Sequence, residues 1–236
     1  VREQVRNGAN QIKIMAGGGV ASPTDPIDGS QFSLAELAAI CEEAESANTY
    51  VMAHAYSPRA ITRAVRAGVR SIEHGNLLDE DAAKVMKEEG AFLVPTLVTY
   101  AVLGEEGARL GWSASMLQKL ERVRDRGQQA IAIARAAGIP VAFGTDLLGH
   151  MHDRQMGEFA LRAVVQSPAE ILQSATHVAA RLLRAEGQIG TLAAGALADV
   201  LLVDGDPTAS VEMWASPAAS IRLLMQGGRV VRQSLA

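Results

Sequence analysis

The sequence predicts an α/β chain: the C-terminal portion of a (β/α)8 TIM-type barrel, followed by strands of a small β-sandwich. Three observations lead there. Short apolar runs alternate with amphipathic helical segments through residues 1–150. Four of those runs end on residues suited to a divalent-metal site: Lys13 in QIKIMAGGG, His54 in YVMAHAYS, His74 in RSIEHGN and Asp146 in VAFGTDLLG. Beyond residue 188 the texture changes to strand runs punctuated by GlyAla, AspGly and GlyGly turns.

Each element has its own signal. Gly8, Gly68, Gly90 and Gly138 each precede an apolar run, where a helix is closed by a left-handed residue. The runs that follow end at Lys13, at His74, at Thr96 (AFLVPT) and at Asp146 (through IPVAFGT). A further strand, TYVMAH, follows the helix SLAELAAICEEAESA, with Asn48 as its stop. Ser33 with Glu36 and Ser167 with Glu170 have capping-box spacing, Pro168 fits a first helical position, and Ser57-Pro58 opens the helix after His54. Cys41 falls on the apolar side of its helix with Leu34, Leu37, Ala38 and Ala44, which marks it as a structural thiol.

Strands that alternate with helices and are apolar almost throughout read as parallel and covered on both faces. An open doubly wound sheet spreads its strand ends along a crevice, whereas a barrel aims every C-terminal strand end at one centre. Ligand-type residues on four separate strand ends therefore favour the barrel. A complete barrel has eight strands and these runs supply about five, so the expectation is that barrel units precede Val1. By that reading the opening VREQVRNGANQIKIM is the end of a helix entering a strand, and residues 1–236 do not fold by themselves. The expected boundaries are 1–187 for the barrel portion and 188–236 for the sandwich strands, with a hairpin between LLMQ and RVVR.

Composition narrows the function. The chain has 236 residues, is 48% apolar and 20% charged, and carries a formal net charge of -4. There is no basic stripe for nucleic acid and no apolar stretch of the roughly 20 residues that span a bilayer. A small-molecule substrate and a cytoplasmic location are the expectation, and homo-oligomerisation is left open. One cysteine allows no internal disulfide.

The candidate site rests on Lys13, His54, His74 and Asp146. His54 and His74 lie one strand–helix unit apart, so their strand ends are neighbours. Imidazole is a common metal ligand, and an aspartate adds a hard oxygen or a general base. Lys13, within an apolar strand, is expected to be buried and to need a neutralising partner. Tyr56 points to the same side as His54 by the period of two, with a hydroxyl to hold a substrate carboxylate or an oxyanion. Glu73 is directed away from His74 by the same alternation. His150 and His152 follow Asp146 in a loop and read as pocket wall. Gly17, Gly18 and Gly19 permit close backbone approach but form no phosphate loop, and the stretch from Ser22 to Phe32 is either a lid or an inert connection.

IKIMAGGGV, AHAYSPRAITRAVRAGVRSIEHG, VPT, FGTD, SATHVAARLL and GTLAAGALADVLLVDGDP together resemble the metal-dependent amidohydrolase superfamily, most nearly its imidazolonepropionase-like and Xaa-Pro or Xaa-Arg dipeptidase branch. The resemblance covers nearly the whole chain. It implies two divalent metals, zinc by preference. Lys13 would be N-carboxylated as a bridge, His54 and His74 would be ligands, and Asp146 both ligand and proton carrier. Tyr56 and His152 would be substrate contacts. The family's first ligand pair, His-x-His on its first strand, has no counterpart in these residues, so the missing N-terminal part of the same polypeptide is an expected partner. The implied function is hydrolysis of an amide or peptide bond in a small, carboxylate-bearing substrate such as a dipeptide or an N-acyl amino acid. A cyclic (imidazolone-type) or aromatic amide on the same site, and a non-catalytic barrel that only binds, are the alternatives.

Overall fold

The computed structural model describes residues 1–234, which cluster into two units, Val1–Val141 and a second beginning at Ala142. In the first unit, helix α1 (Arg2–Arg6) leads into strand β1 (Ile12–Met15), and α2 (Leu34–Ser46) into β2 (Val51–Ala55). Helix α3 (Pro58–Arg66) then precedes β3 (Ser71–His74), and α4 (Glu80–Glu88) precedes β4 (Phe92–Val94). The strands form one parallel sheet in sequential order, β1-β2-β3-β4. Helices α5 (Leu97–Glu106), α6 (Ala114–Arg124) and α7 (Gly127–Ala136) complete the unit.

The local signals act as read. Ser33 and Ser167 close capping boxes, and the Ser57 hydroxyl accepts from the Ala60 N–H. Gly8, Gly68, Gly90, Gly138 and Asn48 all have positive φ, so each helix is closed by a left-handed residue before the apolar run that follows it. Buried residues from strands and helices merge into one core that includes Ile14, Leu37, Val51, Ile61, Ile72, Met86, Leu93, Ile131 and Ile139. Truncating a fully buried member such as Ile72 or Leu93 to Ala costs about 2–5 kcal/mol. On α2 the core-facing stripe is Leu37, Ile40, Cys41 and Ala44, whereas Leu34 and Ala38 are exposed. Burial raises the Cys41 thiol to about 11, which suits a packing role.

Two further expectations fail. Lys13 is exposed: Ile12 and Ile14 take the buried side of β1, and alternation gives Lys13 and Met15 the open side. The run 139–145 is not a strand but a single parallel bridge from Val141 to Leu93. Pro140 has no N–H to extend a ladder, although its carbonyl accepts from the Leu93 N–H. The next backbone groups are satisfied elsewhere: the Ala142 carbonyl accepts from Arg162 Nη2 at 2.9 Å, and the Phe143 N–H donates to the Ser174 carbonyl.

The second unit contains a 3₁₀ turn (Gly149–Arg154), helices α8 (Gly157–Arg162), α9 (Pro168–Gln173) and α10 (Ala179–Leu182), and a π-helical turn (Ser174–Val178). Strand β5 (Val200–Val203), helix α11 (Pro217–Ser220), and strands β6 (Ile221–Gln226) and β7 (Arg229–Gln233) follow. Strands β5, β6 and β7 form an antiparallel sheet, with Gly227-Gly228 turning the expected hairpin. Phe159, Ile171 and Trp214 make the small core, with Phe159 stacked on Trp214. The change of texture at residue 188 thus falls inside this unit. Among the described residues no helix is long and apolar enough to cross a membrane.

Candidate active site at the strand ends

Backbone register explains how the first unit assembles its cluster. Cross-strand partners share a face, and the pairs Lys13–Met52, Met15–His54, Met52–Ser71 and His54–Glu73 define one side of the sheet. Alternation alone would put His74 on the opposite side, opposite Ala55. Instead its backbone turns left-handed, φ 75°, at the last position of β3, and its ring comes 4.7 Å from that of His54. A non-glycine residue held there stores about 1–3 kcal/mol of strain, which surrounding structure must offset. Tyr56 follows the period-two expectation, its ring 4.6 Å from that of His54.

Both histidines are buried and neutral. Burial, opposed by the Gly18 hydrogen bond and reinforced by the charge of Lys13, lowers the His54 pKa to about 4. His74 is lowered well below its ordinary value by burial, then by His54 and Lys13. His54 Nε2 donates to the Gly18 carbonyl at 3.2 Å, and His74 Nδ1 shares a proton with the Thr96 hydroxyl at 2.7 Å. Neutral imidazoles with one nitrogen fixed by a neighbour are in the state that metal ligation requires. Lys13 acts electrostatically on both rings, but an ammonium has no lone pair to offer.

Thr96 and Tyr100, passed over in the sequence, belong to this cluster, and Glu73 is buried on the same side of the sheet as His54. Thr96 ends its apolar run as His54 and His74 end theirs, and that was its signal. Tyr100 lies one helical turn beyond Thr96 on α5, and its hydroxyl donates to that of Tyr56 at 3.0 Å. Glu73 is buried on the His54 side, where it accepts from the Ser71 hydroxyl at 2.6 Å. The stretch from Ser22 to Phe32 is anchored. Lys119 Nζ donates to the carbonyls of Gly19, Ser22 and Asp25, and Arg122 forms a two-point pair with Asp28. Gly18 lies so close beneath this loop that a Cβ there would stand 2.1 Å from the Pro26 carbonyl oxygen.

Asp146 and His152 belong to the second unit. Asp146 is exposed and, like His74, left-handed (φ 50°). His152 is exposed in the 3₁₀ turn, with its Nδ1 bonded to the Gly149 carbonyl. Among the described residues, no group of three or more His, Cys, Asp or Glu side chains is gathered for a metal. What is gathered is two neutral imidazoles, two phenols and a lysine.

The sequence profile of the Amidohydrolase family matches residues 1–231. The chain belongs to the amidohydrolase family. Among solved structures of similar proteins, a prolidase complexed with N-methylphosphonate-L-proline superposes with a TM-score of 0.95 at 52% identity, covering 99% of this chain and 57% of that one. A Xaa-Pro dipeptidase with methionine bound in its active site gives 0.89 at 30% identity, over 98% and 57%. Ochratoxinase of Aspergillus niger is 32% identical over 237 aligned positions, covering 98% of this amidohydrolase chain and 48% of the relative. The chain therefore spans about half the length of the curated relatives it matches.

Proposed function

We propose that this amidohydrolase cleaves the C–N bond of an amide or peptide in a small, carboxylate-bearing substrate, such as a dipeptide or an N-acyl amino acid, with a divalent metal as cofactor. The observation that carries the reading is the pair His54 and His74: two buried imidazoles kept neutral at adjoining strand ends, 4.7 Å apart. The prolidase and Xaa-Pro dipeptidase likenesses support the substrate class.

The two neutral imidazoles suit a metal. His54 and His74 would hold it, and Lys13 would join them as a carbamate formed from its neutral amine and CO₂ with release of a proton; the family resemblance assigns Asp146 the role of a carboxylate ligand. When bound, a divalent cation supplies Lewis acidity and brings the pKa of water near neutrality. Thr96 keeps the His74 ring oriented, and Gly18 does so for His54. The Tyr56 hydroxyl binds the substrate carboxylate or the developing oxyanion, and buried surroundings strengthen that hydrogen bond. An Asp146 carboxylate oxygen accepts the proton of the attacking water and passes it to the departing amine nitrogen. His152 supplies a further substrate contact.

Metal analysis of the full-length protein, with a panel of Xaa-Pro and other dipeptides, N-acyl amino acids, lactams and aryl amides, tests this. Bound divalent ion with chelator-sensitive dipeptide or N-acyl hydrolysis is expected. Protein that binds no divalent ion, or hydrolysis indifferent to chelators, overturns it. The two tyrosine rings and the ochratoxinase likeness favour a second reading on the same site, hydrolysis of an aromatic or cyclic amide. The panel separates the two.

A further inference from the structure

His54, Tyr56, Tyr100 and His74 close a circuit of four rings, with successive centroids 4.6, 6.0, 5.8 and 4.7 Å apart. Both phenols are buried, where a hydroxyl needs a partner. Tyr100 reaches Tyr56 from a different element, α5, and Val20, Ile27, Leu120 and Val123 pack around the two rings. The contact has a direction: the Tyr100 hydroxyl donates and the Tyr56 oxygen accepts. A phenol carries one proton, so a Tyr56 oxygen that accepts from Tyr100 keeps its own proton for another acceptor. The reverse arrangement would spend that proton on Tyr100 and present only lone pairs, which repel a carboxylate or an oxyanion.

We propose that Tyr100 is a positioning residue: it sets the Tyr56 hydroxyl as a hydrogen-bond donor toward the anionic part of the substrate at the strand ends. The proposal rests on the hydrolase reading above for the identity of that substrate. Tyr100 itself touches no reacting atom in this scheme and acts only through Tyr56.

The test is a double-mutant cycle on the full-length, metal-loaded protein with Tyr100→Phe, Tyr56→Phe and the double variant. Tyr100→Phe removes one oxygen and keeps the ring. Three quantities are read: kcat/KM on alanyl-proline, the Kd of its phosphonate analogue by calorimetry, and bound divalent metal. Tyr100→Phe is expected to weaken catalysis and phosphonate binding about tenfold, the worth of one hydrogen bond to a charged group. It should leave metal content unchanged and have no further effect once Tyr56 is Phe. An unaltered Tyr100→Phe protein, a loss that adds in full to that of Tyr56→Phe, or a loss of metal each overturns the proposal. A wild-type protein that binds the phosphonate with this coupling yet cleaves no amide overturns the hydrolase reading and upholds the role of Tyr100. Absence of both activity and phosphonate binding overturns the two together.

Discussion

Strands β3 and β7 are near in length and opposite in circumstance. All four residues of β3 are buried, including a glutamate and a histidine, whereas all five residues of β7, two of them arginines, are exposed. In β3 each polar group is committed: Glu73 is held by Ser71 and His74 by Thr96. In the antiparallel sheet the charges meet in the open, as in the Arg222–Asp204 pair at 2.7 Å. Chemistry resides where burial has stripped water from titratable groups, because there a neighbour and not solvent decides protonation and orientation.

The two histidines should be the most sensitive positions in the molecule. His54→Ala or His74→Ala should abolish metal binding and lower amide hydrolysis about a thousandfold or more, the several kcal/mol that a Lewis acid contributes. Retained metal and rate in both variants would put the site elsewhere.

The second unit offers a control, because it contains a buried ion pair. Arg162 and Glu158 are both inaccessible and bonded at 2.7 Å. Burial lowers the Arg162 pKa and Glu158 opposes that shift. Arg162→Met alone, which takes the guanidinium away from buried Glu158, should cost about 3–5 kcal/mol in denaturant unfolding, and combining it with Glu158→Leu should recover most of that loss. Equal stability of the single and double variants would contradict the role given to burial.

Loss of the His74 partner should be milder. Thr96→Val keeps shape and removes the hydroxyl, and metal affinity measured by competition with a chelator should fall about 10–100-fold. The same neutral rings give the metal-free protein a pH dependence with a definite sign. Folded His54 titrates at about 4 and His74 below its ordinary value, while both take protons near 6.5 when unfolded. Stability is therefore full above about 6.5 and declines as pH falls toward 4, by at most about 1.4 kcal/mol per pH unit for each ring. Urea midpoints of metal-free protein at a series of pH values measure the slope. The smallest effect belongs to the open sheet: Arg222→Ala should leave the melting temperature unaltered, since water screens its pair with Asp204.

Much of this was legible one element at a time. Caps, left-handed stops and apolar runs depend on neighbours within a few residues, so Ser33, Ser57, Ser167, Asn48 and the helix-closing glycines could be read directly, and with them the order of four parallel strands. The period of two placed Tyr56 beside His54. The amidohydrolase motifs carried the family.

Other features depended on groups distant in sequence. Lys13 looked buried because its neighbours are apolar, but which side of β1 is covered is decided by what packs there. The run 139–145 has strand composition, yet the Arg162 side chain takes the Ala142 carbonyl and the Ser174 carbonyl takes the Phe143 N–H. The left-handed turn that brings His74 to His54, the bond from Tyr100 to Tyr56 across 44 residues, and the anchoring of the loop by Lys119 are likewise tertiary. The physical reason is common to all of them. Sequence periodicity encodes direction within one element, whereas proton ownership and burial are set by partners that only folding brings within hydrogen-bonding distance.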